Sequence, residues 1–302
     1  MIDLSWHDNT PTSTLFDDVY FNSDGGIEES LYNFFDGNQL PDRWGKLTCK
    51  DHFRVGEFGF GTGLNALLAA QLFDRLAPDG ARLEFISIEK YPLSLDQLER
   101  VYQSLPQLQP YTHQLLARWQ VYAEGIYRIP LSDRCQLTLV IGDIETALDQ
   151  LLVSDAPSAM SAAQATIDAW FFDGFSPAKN PEMWHIDRFK QALTLSHAGT
   201  TAATFSAARV VRDALAGAGF DITKRPGLGK KREVLSARVN HRQIPKPRKF
   251  KAPWWVVPAL TPRHVTVIGA GLAGAHTARA FAERGVDVTL IEQNDTLGGG
   301  AS

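Results

Sequence analysis

An acidic side chain and three glycines occupy seven residues of the chain, EFGFGTG (57–63). The residues before them form a short apolar strand, and the residues after them have helical periodicity. Glycines at a strand-to-helix turn let the backbone turn tightly and approach a ligand closely, because no Cβ atom collides with it. We therefore predict that Gly59, Gly61 and Gly63 bind a cofactor. The turn alone is compatible with NAD, FAD or S-adenosyl-L-methionine.

Three carboxylates at the ends of successive predicted strands favour S-adenosyl-L-methionine. Glu57 would face the methionine end of that cofactor, whose ammonium group a carboxylate can pair. Glu89, about 26 residues beyond Gly63, would accept hydrogen bonds from both ribose hydroxyls. Asp143 would reach the adenine amino group. Each acid alone could equally be a helix cap or a loop carboxylate, but three of them beside a glycine turn are harder to explain in that way.

A polar residue, an aromatic residue and a proline follow the fourth predicted strand in AWFFDGFSPAKNP (169–181). Such a loop is typical of enzymes that methylate amines. We predict that Asp173 holds the target amine, that Phe175 packs against the base bearing it, and that Pro177 stiffens the loop. Phe175 could instead be an ordinary core residue, whereas a carboxylate at a strand end needs a partner or water.

The elements that must position these residues begin near Arg54, where short apolar strands start to alternate with helical segments. The five strand candidates are Arg54–Phe58, Leu83–Glu89, Leu137–Gly142, Ala169–Phe172 and Thr201–Phe205. Alternation of this kind predicts a parallel sheet with helices on both faces. Two further strands, Phe220–Lys224 and Glu233–Val239, are joined so closely that they must form an antiparallel hairpin. We therefore predict an α/β, class I (Rossmann-like) methyltransferase fold with a mostly parallel seven-stranded sheet and a C-terminal antiparallel hairpin.

A second glycine cluster begins a separate nucleotide-binding pattern. A predicted strand at 264–268 leads into GAGLAG (269–274), a helix and a second strand at 286–291. Gly269, Gly271 and Gly274 form the GxGxxG pattern, and Glu292, 18 residues beyond Gly274, could meet the adenosine ribose. We predict a partial βαβ unit here; an NAD site or a purely structural turn is the alternative.

Charge and composition limit the function classes. The net charge is −4, yet residues 224–251 hold eleven Lys and Arg against the single acid Glu233. This stretch is either a solvated strand and linker or an edge that contacts nucleic-acid phosphates. The candidate contacts for tRNA are Lys179, Arg209, Lys230, Lys231 and Arg232.

Other functions are disfavoured by what the sequence lacks. No apolar run approaches the roughly 20 residues needed to span a bilayer, and the N-terminus has no secretory pattern. Cys49 and Cys135 are the only cysteines, which fits a reducing cytosol and argues against a disulfide framework or a Cys-rich zinc site. We therefore expect a cytoplasmic protein without a membrane or metal partner.

The same patterns divide the chain into four parts. Residues 1–53, rich in aromatic side chains, are predicted to be an extension over the cofactor cleft, and residues 54–244 the methyltransferase domain. Residues 245–263 are a Pro-rich basic linker, and residues 264–302 are the start of a second domain.

Several long motifs resemble one known family, the bifunctional tRNA 5-methylaminomethyl-2-thiouridine biosynthesis proteins. They are FNSDGGIEESLYNFFDGN (21–38), GEFGFGTGLNALL (56–68), WFFDGFSPAKNPEMW (170–184), TFSAARVVRDALAGAGF (204–220) and PGLGKKRE (226–233). The resemblance covers essentially the whole chain. It implies methyl transfer from S-adenosyl-L-methionine to the amine of 5-aminomethyl-2-thiouridine at wobble position U34, in the anticodon stem-loop of tRNA.

The resemblance also implies that Gly269, Gly271, Gly274 and Glu292 begin an FAD-binding oxidase domain. In the full-length family, that domain first converts 5-carboxymethylaminomethyl-2-thiouridine to the aminomethyl form. Because the chain stops at Ser302 after one βαβ unit, we expect a truncated form that neither binds FAD nor oxidises a substrate. The alternatives are an FAD- or NAD-dependent oxidoreductase, a non-catalytic tRNA-binding module and a small-molecule methyltransferase.

Overall fold

A computed structural model describes residues 3–7, 10–21, 25–120, 123–151, 167–229, 232–240 and 262–298. The chain divides into two units, residues 1–256 and 257–302. The strands are β1 (Leu4–His7), β2 (Thr10–Ser13), β3 (Asp18–Val19), β4 (His52–Phe58), β5 (Arg82–Glu89), β6 (Gly125–Pro130), β7 (Cys135–Ile141), β8 (Ile167–Phe172), β9 (Ser196–Thr204), β10 (Phe220–Pro226), β11 (Glu233–Val239), β12 (His264–Ile268) and β13 (Asp287–Ile291).

The helices connect these strands and cover the sheets. They are α1 (Gly26–Ser30), α2 (Leu40–Trp44), α3 (Leu64–Leu76), α4 (Leu95–Tyr102), α5 (Gln109–Leu116), α6 (Ile144–Leu151), α7 (Ile186–Thr194), α8 (Arg209–Ala218) and α9 (Leu272–Ala282). A π-helical segment, Leu31–Asp36, continues α1, and short 3-10 turns lie at Pro106–Leu108 and Pro181–Trp184.

The first unit is built on a sheet with the strand order β10-β11-β9-β8-β4-β5-β7-β6. Strands β9, β8, β4, β5 and β7 run parallel, and β11 runs antiparallel to both β9 and β10. The predicted α/β class, with a mostly parallel sheet and a C-terminal hairpin, is confirmed. The described sheet has eight strands and not seven, because β6 adds an antiparallel edge next to β7.

Apolar runs in the central strands bury both faces of the sheet, as expected for parallel strands covered by helices. In β8, the residues from Ala169 to Phe172 are all buried. Gly56 of β4 leaves room for the neighbouring strand, because a Cβ atom there would lie 2.4 Å from the ring of Trp170. This packing fixes the register that carries the ends of β4 and β8 to the same edge of the sheet.

The N-terminal elements pack on this sheet. Strands β1, β2 and β3 form a small antiparallel sheet of their own. In the π-helical segment, the ring of Phe34 stacks on Phe171 of β8, with 5.1 Å between the ring centroids. The predicted boundaries at 53, 244 and 263 stay predictions, and most of the predicted linker lies outside the described residues.

The second unit consists of β12, α9 and β13, with the two strands parallel. These elements follow the predicted pattern, and β13 begins at Asp287. Gly274 lets the helix approach the turn, since a Cβ atom there would lie 1.7 Å from the carbonyl oxygen of Gly269. Gly269 itself has a φ of +94°, which favours glycine.

Candidate functional site

The carboxyl ends of β4, β5, β7 and β8 surround a cavity of about 1190 Å³. Gly59 and Gly61 of the first glycine turn line it, together with Asp173 and Phe175 of the loop after β8. The turn and the loop touch, because a Cβ atom on Gly59 would lie 3.0 Å from the Cα atom of Gly174. Sequence segments more than a hundred residues apart therefore form one site.

The glycine turn depends on backbone conformations that side chains disfavour. Gly59, Gly61 and Gly63 have φ values of +79°, +54° and +76°. Gly63 precedes the first residue of α3, whose N-terminus therefore points towards the turn. A helix N-terminus with free backbone N–H groups favours electronegative ligand atoms.

Glu89 lies at the cavity wall, where β5 ends. Its Oε2 accepts a hydrogen bond of 2.8 Å from the backbone N–H of Gly61, and its Oε1 accepts one of 2.7 Å from Tyr91. Burial raises the pKa of Glu89 above its usual value, and the hydrogen bonds from these backbone donors offset only part of the rise. The acid predicted to hold a ribose thus also ties the glycine turn to the end of β5.

Asp143 lines the cavity after β7 and has a second role as a helix cap. Its Oδ1 accepts a hydrogen bond of 3.0 Å from the backbone N–H of Glu145 in α6. Its Oδ2 lies 3.0 Å from the Nζ atom of Lys90. Partial burial alone would raise the pKa of Asp143, but the hydrogen bond and the charge of Lys90 lower it. Asp143 is therefore a helix cap, and its contact with the adenine stays a prediction.

Glu57 lies behind the cavity wall and is only 1% exposed. Its Oε1 accepts a hydrogen bond of 2.8 Å from Asn65, and its Oε2 accepts one of 2.6 Å from Ser87. Burial raises the pKa of Glu57 well above its usual range, and the charge of Asp173 adds to this effect. Each oxygen of Glu57 thus has a protein donor, and Glu57 is not among the residues that line the cavity, so its pairing with a ligand ammonium stays a prediction.

Asn65 connects this buried acid to the acceptor loop. Its Nδ2 donates to Oε1 of Glu57 and, over 2.9 Å, to Oδ2 of Asp173. Its Oδ1 accepts a hydrogen bond from the hydroxyl of Ser30 in α1. Asp173 also accepts, at Oδ1, the backbone N–H of Gly174 over 2.8 Å. The Asp173 carboxylate is therefore held from two sides at the cavity wall.

Aromatic rings from the N-terminal segment surround Phe175. The ring of Phe16 stacks on Phe175 with 4.5 Å between centroids, and Tyr20 meets it edge-on at 5.2 Å. Burial raises the pKa of the Tyr20 hydroxyl, and the charge of Glu89 adds to this. Pro177 lies in the same loop but is not among the residues that line the cavity.

A hydrogen bond and an ion pair join the 173–180 loop to the start of β3 and the residue before it. Oδ2 of Asp18 accepts the backbone N–H of Ser176 over 2.9 Å. The Nζ atom of Lys179 lies 2.7 Å from Oδ2 of Asp17. Lys179 lines the cavity, so this predicted tRNA contact is also a structural partner of the N-terminal turn.

The patterns in the sequence did not point to Phe16, Asp18, Tyr20 or Asn65 as site residues. Asn65 had a visible signal, because it is the only polar residue in the run LNALLAA (64–70). The other three carried none, since their role depends on contacts with residues about 150 positions away.

Of the predicted tRNA contacts that the structure describes, Lys179 lines the cavity, whereas Arg209 and Arg232 do not. Arg209 is exposed at the start of α8, where its Nε atom lies 3.2 Å from Asp213. Arg232 is exposed just before β11. Lys230 and Lys231 lie outside the described residues. Neighbouring basic residues also have protein partners: Lys224 pairs with Glu233 over 2.7 Å.

In the second unit, the acid after β13 folds back onto the glycine turn. Oε2 of Glu292 accepts the backbone N–H of Ala270 over 2.7 Å. Hydrogen bonds from Ala270 and from Asn294 hold the pKa of Glu292 below its usual value. Gly271 leads into α9, so the GxGxxG residues and the predicted ribose acid are together at one end of this βαβ unit.

Two further expectations concern metals and membranes. Among the described residues, no group of three or more His, Cys, Asp or Glu side chains could hold a metal ion. Within the same residues, no helix combines the length and the apolar character that a bilayer crossing needs.

Comparisons with known proteins match both units. Residues 106–240 match the family model of an S-adenosyl-L-methionine-dependent methyltransferase, and residues 264–302 match that of an FAD dependent oxidoreductase. A crystal structure of MNMC2 from Aquifex aeolicus shares the fold, with a TM-score of 0.58 and 23% sequence identity over 83% of this chain and 73% of that one.

Curated relatives match nearly the whole chain. A tRNA 5-methylaminomethyl-2-thiouridine biosynthesis bifunctional protein MnmC from Chromobacterium violaceum is 43% identical over 302 residues, which cover 99% of this chain and 44% of the relative. A protein of the same name from Pseudomonas entomophila is 44% identical over 294 residues, covering 96% and 43%. The chain thus spans somewhat less than half the length of these relatives. Over almost its whole length, the chain is similar to tRNA 5-methylaminomethyl-2-thiouridine biosynthesis bifunctional proteins.

Proposed function

We propose that the first unit transfers a methyl group from S-adenosyl-L-methionine to the amine of 5-aminomethyl-2-thiouridine at wobble position 34 of tRNA. The observation that carries this proposal is that the glycine turn after β4 and the Asp173 loop after β8 line one cavity. A methyl donor at the turn and an amine at the loop would therefore meet. The names of the relatives supply the substrate.

The cavity fits the two ligands of such a reaction. Its volume of about 1190 Å³ exceeds the roughly 300–1,000 Å³ typical of a site for one drug-sized ligand. Glu89 and Asp143, at the ends of neighbouring strands, would hold the ribose and the adenine of the cofactor. Gly59 and Gly61, which have positive φ values and no side chains, would let the backbone approach the ligand there.

Asp173 would act on the acceptor amine. An alkylamine has a pKa of roughly 10, so it reaches the site as an ammonium ion, which a carboxylate attracts. When bound, S-adenosyl-L-methionine supplies a methyl group on a positively charged sulfur. Asp173 first holds the ammonium and then accepts or relays its proton, which frees the nitrogen lone pair. A carbon–nitrogen bond forms as the carbon–sulfur bond breaks.

Neighbouring residues would position these groups. The two donors to Asp173, Asn65 and the backbone of Gly174, fix its carboxylate plane. Phe175, stacked on Phe16, offers an aromatic surface for the base. Most of the rate acceleration would therefore come from orientation.

The remaining parts of the proposal concern tRNA, FAD and location. The exposed residues Arg209 and Arg232 would contact tRNA phosphates, together with Lys231. Gly269, Gly271, Gly274 and Glu292 would belong to the FAD site of the oxidase activity of the family. The free thiols of Cys49 and Cys135 fit a reducing compartment, so we assign the reaction to the cytoplasm.

The test is a radiolabelled methyl-transfer assay on tRNA whose wobble base carries the aminomethyl group. We expect label in the wild-type reaction and about a 100-fold or larger loss of kcat in Asp173→Asn. S-adenosylhomocysteine binding should be retained in this variant. Asp187→Asn, an exposed acid on α7, is the matched control and should keep wild-type kcat.

The outcomes separate the alternatives. Absence of label with wild-type protein that still binds tRNA would establish the non-catalytic module instead. Near-normal turnover by Asp173→Asn would limit Asp173 to orienting the amine, with water removing the proton.

A further inference from the structure

Asn33 is a cavity residue with an unused hydrogen-bond acceptor. It lies in the π-helical segment and is 2% exposed, yet it lines the cavity. Its Oδ1 has no hydrogen-bond partner in the part of the chain that the structure describes. Two other buried side-chain atoms share this property there, Trp44 Nε1 and Ser236 Oγ, but neither residue lines the cavity. Among the described residues, Asn33 alone combines a buried polar atom that lacks a partner with a position in the cavity lining.

The surroundings of Asn33 place it on the acceptor side of the cavity. Ser30 lies one helical turn earlier, and its hydroxyl donates to Asn65, which in turn donates to Asp173. Residues three positions apart on a helix are neighbours. The ring of the adjacent Phe34 stacks on β8, whose end carries Asp173. Asp143, the proposed adenine contact, follows β7 and lies three strands away from β8.

A buried amide oxygen without a partner is costly to the folded protein, so such groups are rare and often functional. The nearby Asn38 shows the usual solution. Its Nδ2 donates to the carbonyl oxygens of Phe34 and Trp170, and its Oδ1 accepts from Thr201. A π-helical turn at Leu31–Asp36 adds to the case, because such turns frequently occur at functional sites.

We propose that Oδ1 of Asn33 accepts a hydrogen bond from an N–H group of the acceptor base. This inference rests on the proposed function and adds a specificity residue to it. A modified uracil offers such a donor on its ring nitrogen, and its aminomethyl group offers another. A site with a buried polar group rejects ligands that cannot pair with it, since the group then stays unpaired. Asn33 would therefore select the base, whereas Asp173 acts on the amine.

Stability gives the first test, because it is independent of turnover. Replacing Asn33 by an apolar side chain of similar size removes the unpaired Oδ1 and adds apolar packing. We expect Asn33→Leu to melt at the wild-type temperature or above it. Asn38→Leu, the matched control, should lower the melting temperature by several degrees, because it removes three hydrogen bonds of a buried amide. A comparable loss in both variants would overturn the proposal.

Kinetics give the second test, with an anticodon stem-loop carrying 5-aminomethyl-2-thiouridine. We expect Asn33→Leu to lower kcat/KM about tenfold or more, with unchanged affinity for S-adenosylhomocysteine. A stem-loop methylated at the ring nitrogen N3 and one bearing the secondary amine identify the donor. If the ring N–H is the partner, N3-methylation slows wild type more than Asn33→Leu. If the amine is the partner, wild type should discriminate against the stem-loop with the secondary amine more strongly than Asn33→Leu does.

Each outcome has one interpretation. Wild-type kcat/KM in Asn33→Leu, or equal responses of both proteins to both analogues, would overturn the assignment of Asn33. Failure of the wild-type protein to methylate the stem-loop that carries 5-aminomethyl-2-thiouridine, with neither extra methyl group, would overturn the proposed function itself, and with it this inference.

Discussion

Two carboxylates separated by one amide set the charge of the site at the scale of residues. Asn65 donates to both Glu57 and Asp173, so the buried acid and the acid at the cavity wall share one side chain. Ionising both would place two negative charges close together in a poorly hydrated space. Because Glu57 has the raised pKa, a neutral Glu57 would leave the charge on Asp173.

Glu57 should therefore give the protein a pH-dependent stability. A carboxyl with a raised pKa keeps its proton in the fold at pH values where the unfolded chain has lost it. The contribution of Glu57 to the free energy of unfolding is then fully present below about pH 4.5. Above that pH it decreases by up to about 1.4 kcal/mol per pH unit, until the pH reaches the pKa of Glu57 in the folded protein. We expect Glu57→Gln to remove this fall, so that the variant gains on wild type as pH increases.

Urea denaturation of both proteins at several pH values from 5 to 8 measures the difference. Glu99→Gln, at an exposed position of α4, controls for the loss of a carboxylate. Parallel stability curves for wild type and Glu57→Gln would show that Glu57 is ionised in the fold.

At the scale of elements, the sequence predicts where the strands lie along the chain better than it predicts which strands pair with each other. Periodicity and apolar runs located the five parallel strands and the hairpin, because buried strands need apolar residues. The same patterns did not predict β6, an edge strand with exposed side chains at Ile126 and Arg128. A half-exposed edge strand carries no continuous apolar run, so its pairing with β7 was not visible in the sequence.

The site was predictable to the same extent. Glycines and acids at strand ends were identified because their spacing along the chain is regular. The depth of each acid was not, and Glu57 turned out to be enclosed by Asn65 and Ser87. Asn33 and Phe16 depend on how the N-terminal segment packs on β8, which no local pattern encodes.

Contact between the glycine turn and the acceptor loop gives a prediction for these elements. Gly59→Ala adds a Cβ atom 3.0 Å from Gly174 at a φ of +79°, so both the turn and the loop must shift. Strain of this kind costs about 1–3 kcal/mol. We expect at least tenfold weaker binding of S-adenosylhomocysteine by calorimetry.

Gly45→Ala is the matched control for this substitution. Gly45 has a φ of −65°, and a Cβ atom there would lie 3.5 Å from its nearest neighbour, which is an ordinary contact. Equal ligand affinity in the Gly59 and Gly45 variants would mean that the turn does not form the cofactor site.

At the scale of the whole molecule, the net charge of −4 hides an uneven distribution of charged residues along the chain. The basic stretch 224–251 includes the end of β10 and the whole of β11, whose hairpin lies at the edge of the sheet opposite β6. Some of its charges are used internally, as in the pair of Lys224 with Glu233. The exposed Arg232, at the tip of the hairpin, is the better candidate for an external phosphate.

Arg232→Gln should therefore weaken tRNA binding similarly for all tRNA sequences. Each phosphate contact contributes about 0.7–0.9 to the slope of log K against log salt. We expect the variant to lose roughly one unit of that slope in binding measured from 50 to 200 mM salt. Lys46→Gln, remote in sequence from the basic stretch, serves as the control, and an unchanged slope in Arg232→Gln would exclude a phosphate contact.

The single chamber at the sheet edge has a consequence for the order of events. Because the proposed methyl donor and the acceptor amine would lie in the same cavity, we expect both to be bound before any bond changes. The carbon would then pass straight from sulfur to nitrogen, with inversion of its configuration and without a stop on the protein. No methylated enzyme would form as an intermediate. S-adenosylhomocysteine would have to leave the cavity before the next S-adenosyl-L-methionine could bind.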